Sequence, residues 1–189
     1  VLAVNLKGYF ATIRAGAEHL KKQGGAIVNL GSPSGFGHYG MANYSAAKEG
    51  VVGMTRSVAR ELAEFGVRAN VVRPISGPTT MNIPEVLETL GYAMNVLKIP
   101  PLTNHWLGNS GPYGAPHNVA AVVAWLCSAK SENLNGRELF INGGHIALVQ
   151  EPEFVRSQFA VEGWSWDGLS DDATTRALTW DIRNRFTGK

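Results

Sequence analysis

Three short strand-like runs, each followed by glycine or proline and separated by segments of helical period, restrict the folds open to this chain more than any other feature. The runs are Ala26-Ile27-Val28-Asn29-Leu30, Val67 to Val72, and Leu139-Phe140-Ile141-Asn142. Ala26 to Leu30 reads as a buried strand with parallel pairing, Val67 to Val72 as a second buried strand and Leu139 to Asn142 as a third. Between them Leu2, Leu6, Phe10, Ile13 and Ala17 recur at three- and four-residue spacing, which predicts a helix over about 1–22, stopped by Gly24-Gly25. The same period returns from Asn43 to about Phe65 and ends at Gly66. Residues 31–42 carry four glycines and a proline and read as a loop. Pro74 to Pro78 breaks the second strand, a third helix is expected near 84–97, and a fourth opens on Pro116 and runs to Ser128. Strand–helix alternation of this kind makes an α/β architecture, a parallel sheet with covering helices.

Composition removes several function classes. The 189 residues carry a formal net charge of +2 with no lysine- or arginine-rich run, so no nucleic-acid face is expected. No apolar stretch reaches the length of a membrane span, and no signal peptide is visible. The single cysteine, Cys127, forms no intrachain disulfide and fits a reducing, cytoplasmic setting. It lies in the apolar run Val119–Cys127 and reads as a core residue. The histidines at 19, 38, 105, 117 and 145 lack metal-ligand spacing, so no metal is expected, and His38 reads as a surface-loop residue. Residues 151–189 differ in composition from residues 1–150, with Trp164, Trp166 and Trp180 set among charges. One or two further helices are expected there, with the tryptophans as packing residues. The chain opens on Val1-Leu2-Ala3-Val4-Asn5, without methionine and in the middle of a helical pattern, and is read as a fragment.

The chemistry centres on Tyr44-Ser45-Ala46-Ala47-Lys48. An i,i+4 pair shares one helical face, so the phenol and the ammonium can reach the same place. Alone the spacing is common by chance. Its context is not: Asn5-Leu6-Lys7-Gly8 stands in the preceding helix, and Ile27-Val28-Asn29-Leu30-Gly31-Ser32 runs from a strand into a serine-bearing loop. Pro74 follows the next strand, with Thr79 and Thr80 beyond it, and Asn142-Gly143-Gly144 closes the set. Over about residues 1–145 this ordered set resembles the short-chain dehydrogenase/reductase family.

The resemblance implies a Rossmann-type, doubly wound parallel sheet that is incomplete here, because the family's glycine-rich nucleotide-binding first half has no counterpart in this chain. On the order of 100 residues would precede Val1. An unpaired strand edge is then expected, and a chain that alone neither folds stably nor binds cofactor. The resemblance also implies roles. Tyr44 is the general acid/base, and Lys48 is the cation that favours its phenolate and bonds the nicotinamide ribose. Ser32 holds the reacting carbonyl or alcohol, with Ser34 as its competitor, and Asn5 anchors a water that relays protons to the lysine. Pro74, Ile75 and Thr79 contact the nicotinamide of NAD or NADP, with Thr79 preferred over Thr80 by its spacing from Pro74. Ala42 to Lys48 is similar to 3-oxoacyl thioester reductases and 3-hydroxyacyl-CoA dehydrogenases, which makes a 3-oxo/3-hydroxyacyl thioester the expected small-molecule substrate, covered by residues 82–115. The complete protein is expected to be a homo-oligomer, a tetramer or dimer, joined through the first two helices. Two features depart from the family pattern: Ile75 stands where glycine usually follows proline, and Ser32 to Tyr44 is one residue shorter than in close relatives. They motivate the alternative reading, a catalytically inactive nucleotide-binding or scaffold protein on the same fold.

Overall fold

The segment Val67–Ile75 forms the strand β2, flanked on both sides in the computed structural model, which describes residues 1–77, 84–98 and 114–182. β1 (Gly25–Leu30) lies parallel along one side, in register from Gly25 opposite Val67 to Leu30 opposite Val72. β3 (Glu138–Asn142) lies parallel along the other, from Val71 opposite Glu138 to Ile75 opposite Asn142. Among the described residues β1 is an edge strand.

Both faces of the sheet are covered. On one face lie α1 (Gly8–Gln23) and α2 (Ala42–Glu61), whose Ile13, Ala17, Leu20, Val58, Ala59 and Leu62 pack with Ile27, Val67 and Ala69. On the other lies α4 (Pro116–Leu126), whose Val119, Val122, Val123 and Leu126 pack with Val28, Val72, Leu139 and Ile141. Neighbouring residues of one strand thus serve opposite layers, as a doubly wound α/β sheet requires. Each fully covered aliphatic side chain contributes about 1.5–3 kcal/mol through burial. The helix α3 (Pro84–Asn95) falls in the predicted place.

The structure corrects the sequence reading in several places. β2 does not stop before Pro74 but continues to Ile75. Pro74 lies beyond the end of β1, where β3 alone flanks the strand, so its missing N–H breaks no bond to β1. A fourth strand, β4 (His145–Leu148), returns antiparallel to β3 across the two-residue turn Gly143-Gly144. Gly143 has φ 57°, the positive value that a tight hairpin needs at its first central residue. Cys127 is exposed rather than buried. The inward row of α4 is 119, 122, 123 and 126, and position 127 falls one residue past it as the helix ends.

By its internal contacts the chain divides into Val1–Gln150 and Glu151–Lys189. In the second unit Ser165 caps α5 (Trp166–Ser170) and Asp171 caps α6 (Asp172–Thr179), each accepting backbone N–H groups of the first turn. The tryptophans there are not packed inside: Trp166 is 82% and Trp180 74% exposed. Trp180 instead lies 5.5 Å from the guanidinium of Arg156, which also pairs with Asp181. Among the described residues no helix is long and apolar enough to cross a membrane.

The end of α4 is closed by a side chain from the sheet. Arg68 in β2 donates to the carbonyls of Leu126 and Ser128, each at 3.0 Å, and to those of Ser131 and Leu134 at 3.0 and 3.3 Å. The carbonyls of Ser128 and Ser131 also accept the N–H groups of Ser131 and Leu134, so Arg68 supplies a second, charged donor where the helix runs out of its own. Arg68→Met is expected to cost about 1–3 kcal/mol, because it removes a charged donor shared by four part-buried carbonyls. Arg68→Lys, which lacks the planar fork, should recover only part of that loss. Urea denaturation of the three proteins checks both expectations.

Candidate active site

β1 delivers the chain to the site through a glycine that the packing demands. A Cβ at Gly31 would meet the side chain of Val71 at 2.8 Å. Ser32 follows and caps a 3-10 turn, Pro33–Phe36, its Oγ accepting the N–H of Ser34 at 3.1 Å. Ser32 is 8% exposed. Because Oγ is an acceptor toward its own turn, its O–H proton remains to be given elsewhere. Ser34 is differently engaged. Its Oγ lies 3.0 Å from His38 Nδ1, and its carbonyl accepts the hydroxyl of Ser45 at 2.6 Å, which ties the loop to the first turn of α2. Ser34 therefore acts within the loop, which favours Ser32 of the two serines. His38 is buried rather than on the surface, and burial holds its pKa below the ordinary value.

α2 carries Tyr44 and Lys48 one turn apart. Lys48 is buried, and its Nζ donates to the carbonyl of Leu30 at 2.9 Å and to the hydroxyl of Tyr9 at 3.2 Å. The ammonium lies 5.6 Å from the Tyr44 ring centroid and 5.0 Å from that of Tyr9. Burial pushes the Lys48 ammonium below its usual range, while charge on Tyr44 acts in the opposite sense. Burial raises the Tyr9 phenol. Of three ammonium donors, Leu30 and Tyr9 take two, and the third fits an added hydroxyl acceptor such as a ribose.

Asn5 lies in a π-turn, Ala3–Lys7, at the start of the first helix, where the N–H of Gly8 reaches back five residues to the carbonyl of Ala3. Such turns concentrate at functional sites. Its side chain bonds back to the Val1 carbonyl at 3.4 Å, so the structure does not bring the Asn5 amide into direct contact with Lys48. The turn packs on α2 through Leu6, whose side chain fills the space a Cβ at Gly50 would take. Pro74 and Ile75 end β2 beside Ile141 and Asn142, with Ile75 8% exposed. Thr79 and Thr80 lie outside the described residues. Among the described residues no group of histidine, cysteine and carboxylate side chains could hold a metal ion.

A second cluster supports the first. The guanidinium of Arg73 is 1% exposed and donates from Nε to Glu138 at 2.7 Å and from Nη1 to the backbone carbonyl of Ser32. It also pairs with Glu49 and stacks on Phe36 with Cζ 4.3 Å from the ring centroid. The other oxygen of Glu138 faces Arg56 at 3.5 Å. Gly35 has no room for a side chain, because a Cβ there would overlap the Glu49 carboxylate. Sequence reading passed over Tyr9, Glu49, Arg73 and Glu138. One signal was present: Arg73 is a charged residue set between the apolar pair Val71-Val72 and Pro74.

Comparison with known proteins gives a consistent result. Residues 1–145 match the family described as Enoyl-(Acyl carrier protein) reductase. The (3R)-3-hydroxyacyl-CoA dehydrogenase of Mus musculus is 38% identical over 149 residues, covering 76% of this chain and 52% of that protein. A hydroxyacyl-CoA dehydrogenase of Mycobacterium tuberculosis is 32% identical over 201 residues, covering 100% of this chain and 56% of that one. A short chain dehydrogenase from Mycobacterium avium superposes with a TM-score of 0.69 at 27% identity, over 97% of this chain and 56% of its own. The chain spans about half the length of the curated relatives it matches.

Two outcomes follow from the buried charges. Arg73→Met strands the Glu138 carboxylate inside the sheet and is expected to cost about 3–5 kcal/mol in thermal or urea unfolding. Because His38 titrates lower in the folded than in the unfolded chain, the folded state binds fewer protons as pH falls below about 6.5. Its stability contribution is complete above that pH and shrinks below it, so His38→Asn should flatten the loss of unfolding free energy between neutral and mildly acidic pH.

Proposed function

This chain belongs to the short-chain dehydrogenase/reductase family, and from that membership we propose that it forms the proton-handling part of an NAD(P)-dependent oxidoreductase. The reaction is the interconversion of a ketone and a secondary alcohol, on 3-oxo/3-hydroxyacyl thioesters. The observation that carries this reading is the buried Lys48 ammonium one helical turn from Tyr44, on a helix bonded to the Ser32 loop.

The mechanism follows from that geometry. A free phenol titrates near 10, too high for proton exchange at neutral pH. The Lys48 cation, one helical turn away, is placed to stabilise negative charge on the Tyr44 oxygen as the proton moves. In reduction Tyr44 gives its phenolic proton to the substrate oxygen while the carbonyl carbon receives a hydride; in oxidation it takes the alcohol proton as hydride leaves. The nicotinamide cofactor supplies or accepts that hydride. Ser32, with its O–H proton uncommitted among the described residues, donates to the same substrate oxygen and orients it. The third donor of Lys48 suits a hydroxyl of the nicotinamide ribose, and Pro74 and Ile75, at the end of β2, line the nicotinamide side, with Thr79 assigned to its carboxamide. Asn5 is assigned to anchor a relay water, a role that the π-turn around it supports. The thioester substrate rests on the hydroxyacyl-CoA dehydrogenases among the relatives. A homo-oligomer joined through α1 and its preceding turn and α2 accounts for the exposure there of Val4 (74%) and Phe10 (53%).

The test is reduction of acetoacetyl-CoA by the complete protein with NADH or NADPH, followed by loss of reduced-cofactor absorbance. Tyr44→Phe is expected to lower kcat by about 10²- to 10⁴-fold with cofactor affinity retained. Turnover of simple ketones without acetoacetyl-CoA would overturn the thioester substrate, and full activity of Tyr44→Phe would overturn the mechanism.

A further inference from the structure

The Lys48 ammonium is buried without a carboxylate beside it among the described residues. Glu49, next along α2, turns to Arg73. The groups facing Lys48 are Tyr44 on its own helix, Tyr9 on α1 and the neutral carbonyl of Leu30 at the end of β1. Neighbouring segments add no buried charge: the π-turn contributes neutral Asn5 and the exposed Lys7, and the 3-10 turn with its cap the neutral Ser32 and Ser34. An ammonium out of water needs its N–H groups accepted and its charge compensated. Tyr9 does both. Its hydroxyl donates to Leu30 O at 3.0 Å, which directs its lone pairs toward Lys48 Nζ at 3.2 Å, and its ring offers a π face 5.0 Å from the charge. Lys48, Tyr9 and the Leu30 carbonyl thus close a three-membered hydrogen-bond ring whose direction is set by the donors.

We propose that Tyr9 is a positioning residue for the reaction, holding the Lys48 ammonium protonated and in place beside Tyr44. The proposal rests on the proposed function for its kinetic consequence, but its structural content concerns Lys48 alone. Tyr9 has no contact with the reacting atoms to make; it acts through the lysine. Removing its hydroxyl takes one acceptor from a cation that burial already disfavours, so Lys48 gives up its proton at lower pH. A weaker cation stabilises negative charge on the Tyr44 oxygen less. The rising limb of the pH profile for alcohol oxidation moves to the alkaline side.

Tyr9→Phe keeps the ring and its packing and deletes only the hydroxyl. In the complete enzyme oxidising 3-hydroxybutyryl-CoA, it is expected to lower kcat at neutral pH by about fivefold, the worth of one hydrogen bond. KM for the thioester should be unchanged and the rising limb displaced upward. A variant that only loosens packing would scale the profile without moving it. Independently of turnover, lysine labelled with ¹³C at Cε allows titration of Lys48 by NMR, its resonance identified by its absence in Lys48→Met. The Lys48 midpoint in Tyr9→Phe is expected below that of the wild type. An unmoved midpoint overturns the role of Tyr9, as does an unmoved kinetic limb in an active enzyme. A protein that oxidises no 3-hydroxyacyl thioester but shows the lowered midpoint overturns the substrate reading and leaves Tyr9 as the residue that holds Lys48.

Discussion

The buried guanidinium of Arg73 is the constraint on which the rest of the site depends. A charge that is 1% exposed survives in a sheet only if its donors are all answered, and here they are answered by three separate parts of the chain. Glu138 comes from β3, Glu49 from α2, and the Ser32 carbonyl from the loop that leaves β1. With Arg56 facing Glu138, two cations and two carboxylates balance. Such a cluster adds little net stability over an apolar replacement, yet removal of any one member strands the others. What it supplies is position: the loop bearing Ser32 and the helix bearing Lys48 are both referred to one point on β2.

The candidate catalytic groups lie at the carboxyl ends of the parallel strands. Leu30 ends β1, Ile75 ends β2 and Asn142 ends β3, and open α/β sheets place ligands beyond these ends. The same end is knitted together by Gly114, whose N–H bonds the Asn142 side chain at 3.2 Å while its carbonyl accepts the N–H of Gly77 at 3.0 Å. A Cβ at Gly114 would overlap the backbone of Gly143, so the close approach depends on glycine. The hairpin of β3 and β4 is thereby coupled to the segment that follows β2.

In the proposed mechanism, proton chemistry at Tyr44 depends on a balance at Lys48. Burial disfavours the ammonium, while the Leu30 carbonyl, the Tyr9 hydroxyl and two aromatic faces favour it. Water would satisfy the same N–H groups but screen the charge, whereas fixed neutral acceptors satisfy them and leave the field to act on the neighbouring phenol. The proposed mechanism calls for a dry lysine, and Lys48 is buried.

Local pattern carried the three parallel strands and the helices between them, because short segments bounded by glycine or proline alternate with helical period, and an i,i+4 spacing in its ordered context singled out the Tyr44–Lys48 pair. β4 was legible too: Gly143-Gly144 after an apolar run is a hairpin signal, overlooked because the strand beyond it is four residues long. Pro74 misled, since proline usually ends a strand, and only the early finish of β1 makes it tolerable. The burial of His38, the exposure of Cys127 and the partners of Lys48 were decided by tertiary structure. Arg73 meets Glu49 and Glu138, 24 and 65 residues away, and Tyr9 meets Lys48 from 39 residues away. Periodicity reports which face of an element is buried; which charged or hydroxyl group waits on the other side is set by how the elements pack, and no local spacing encodes it.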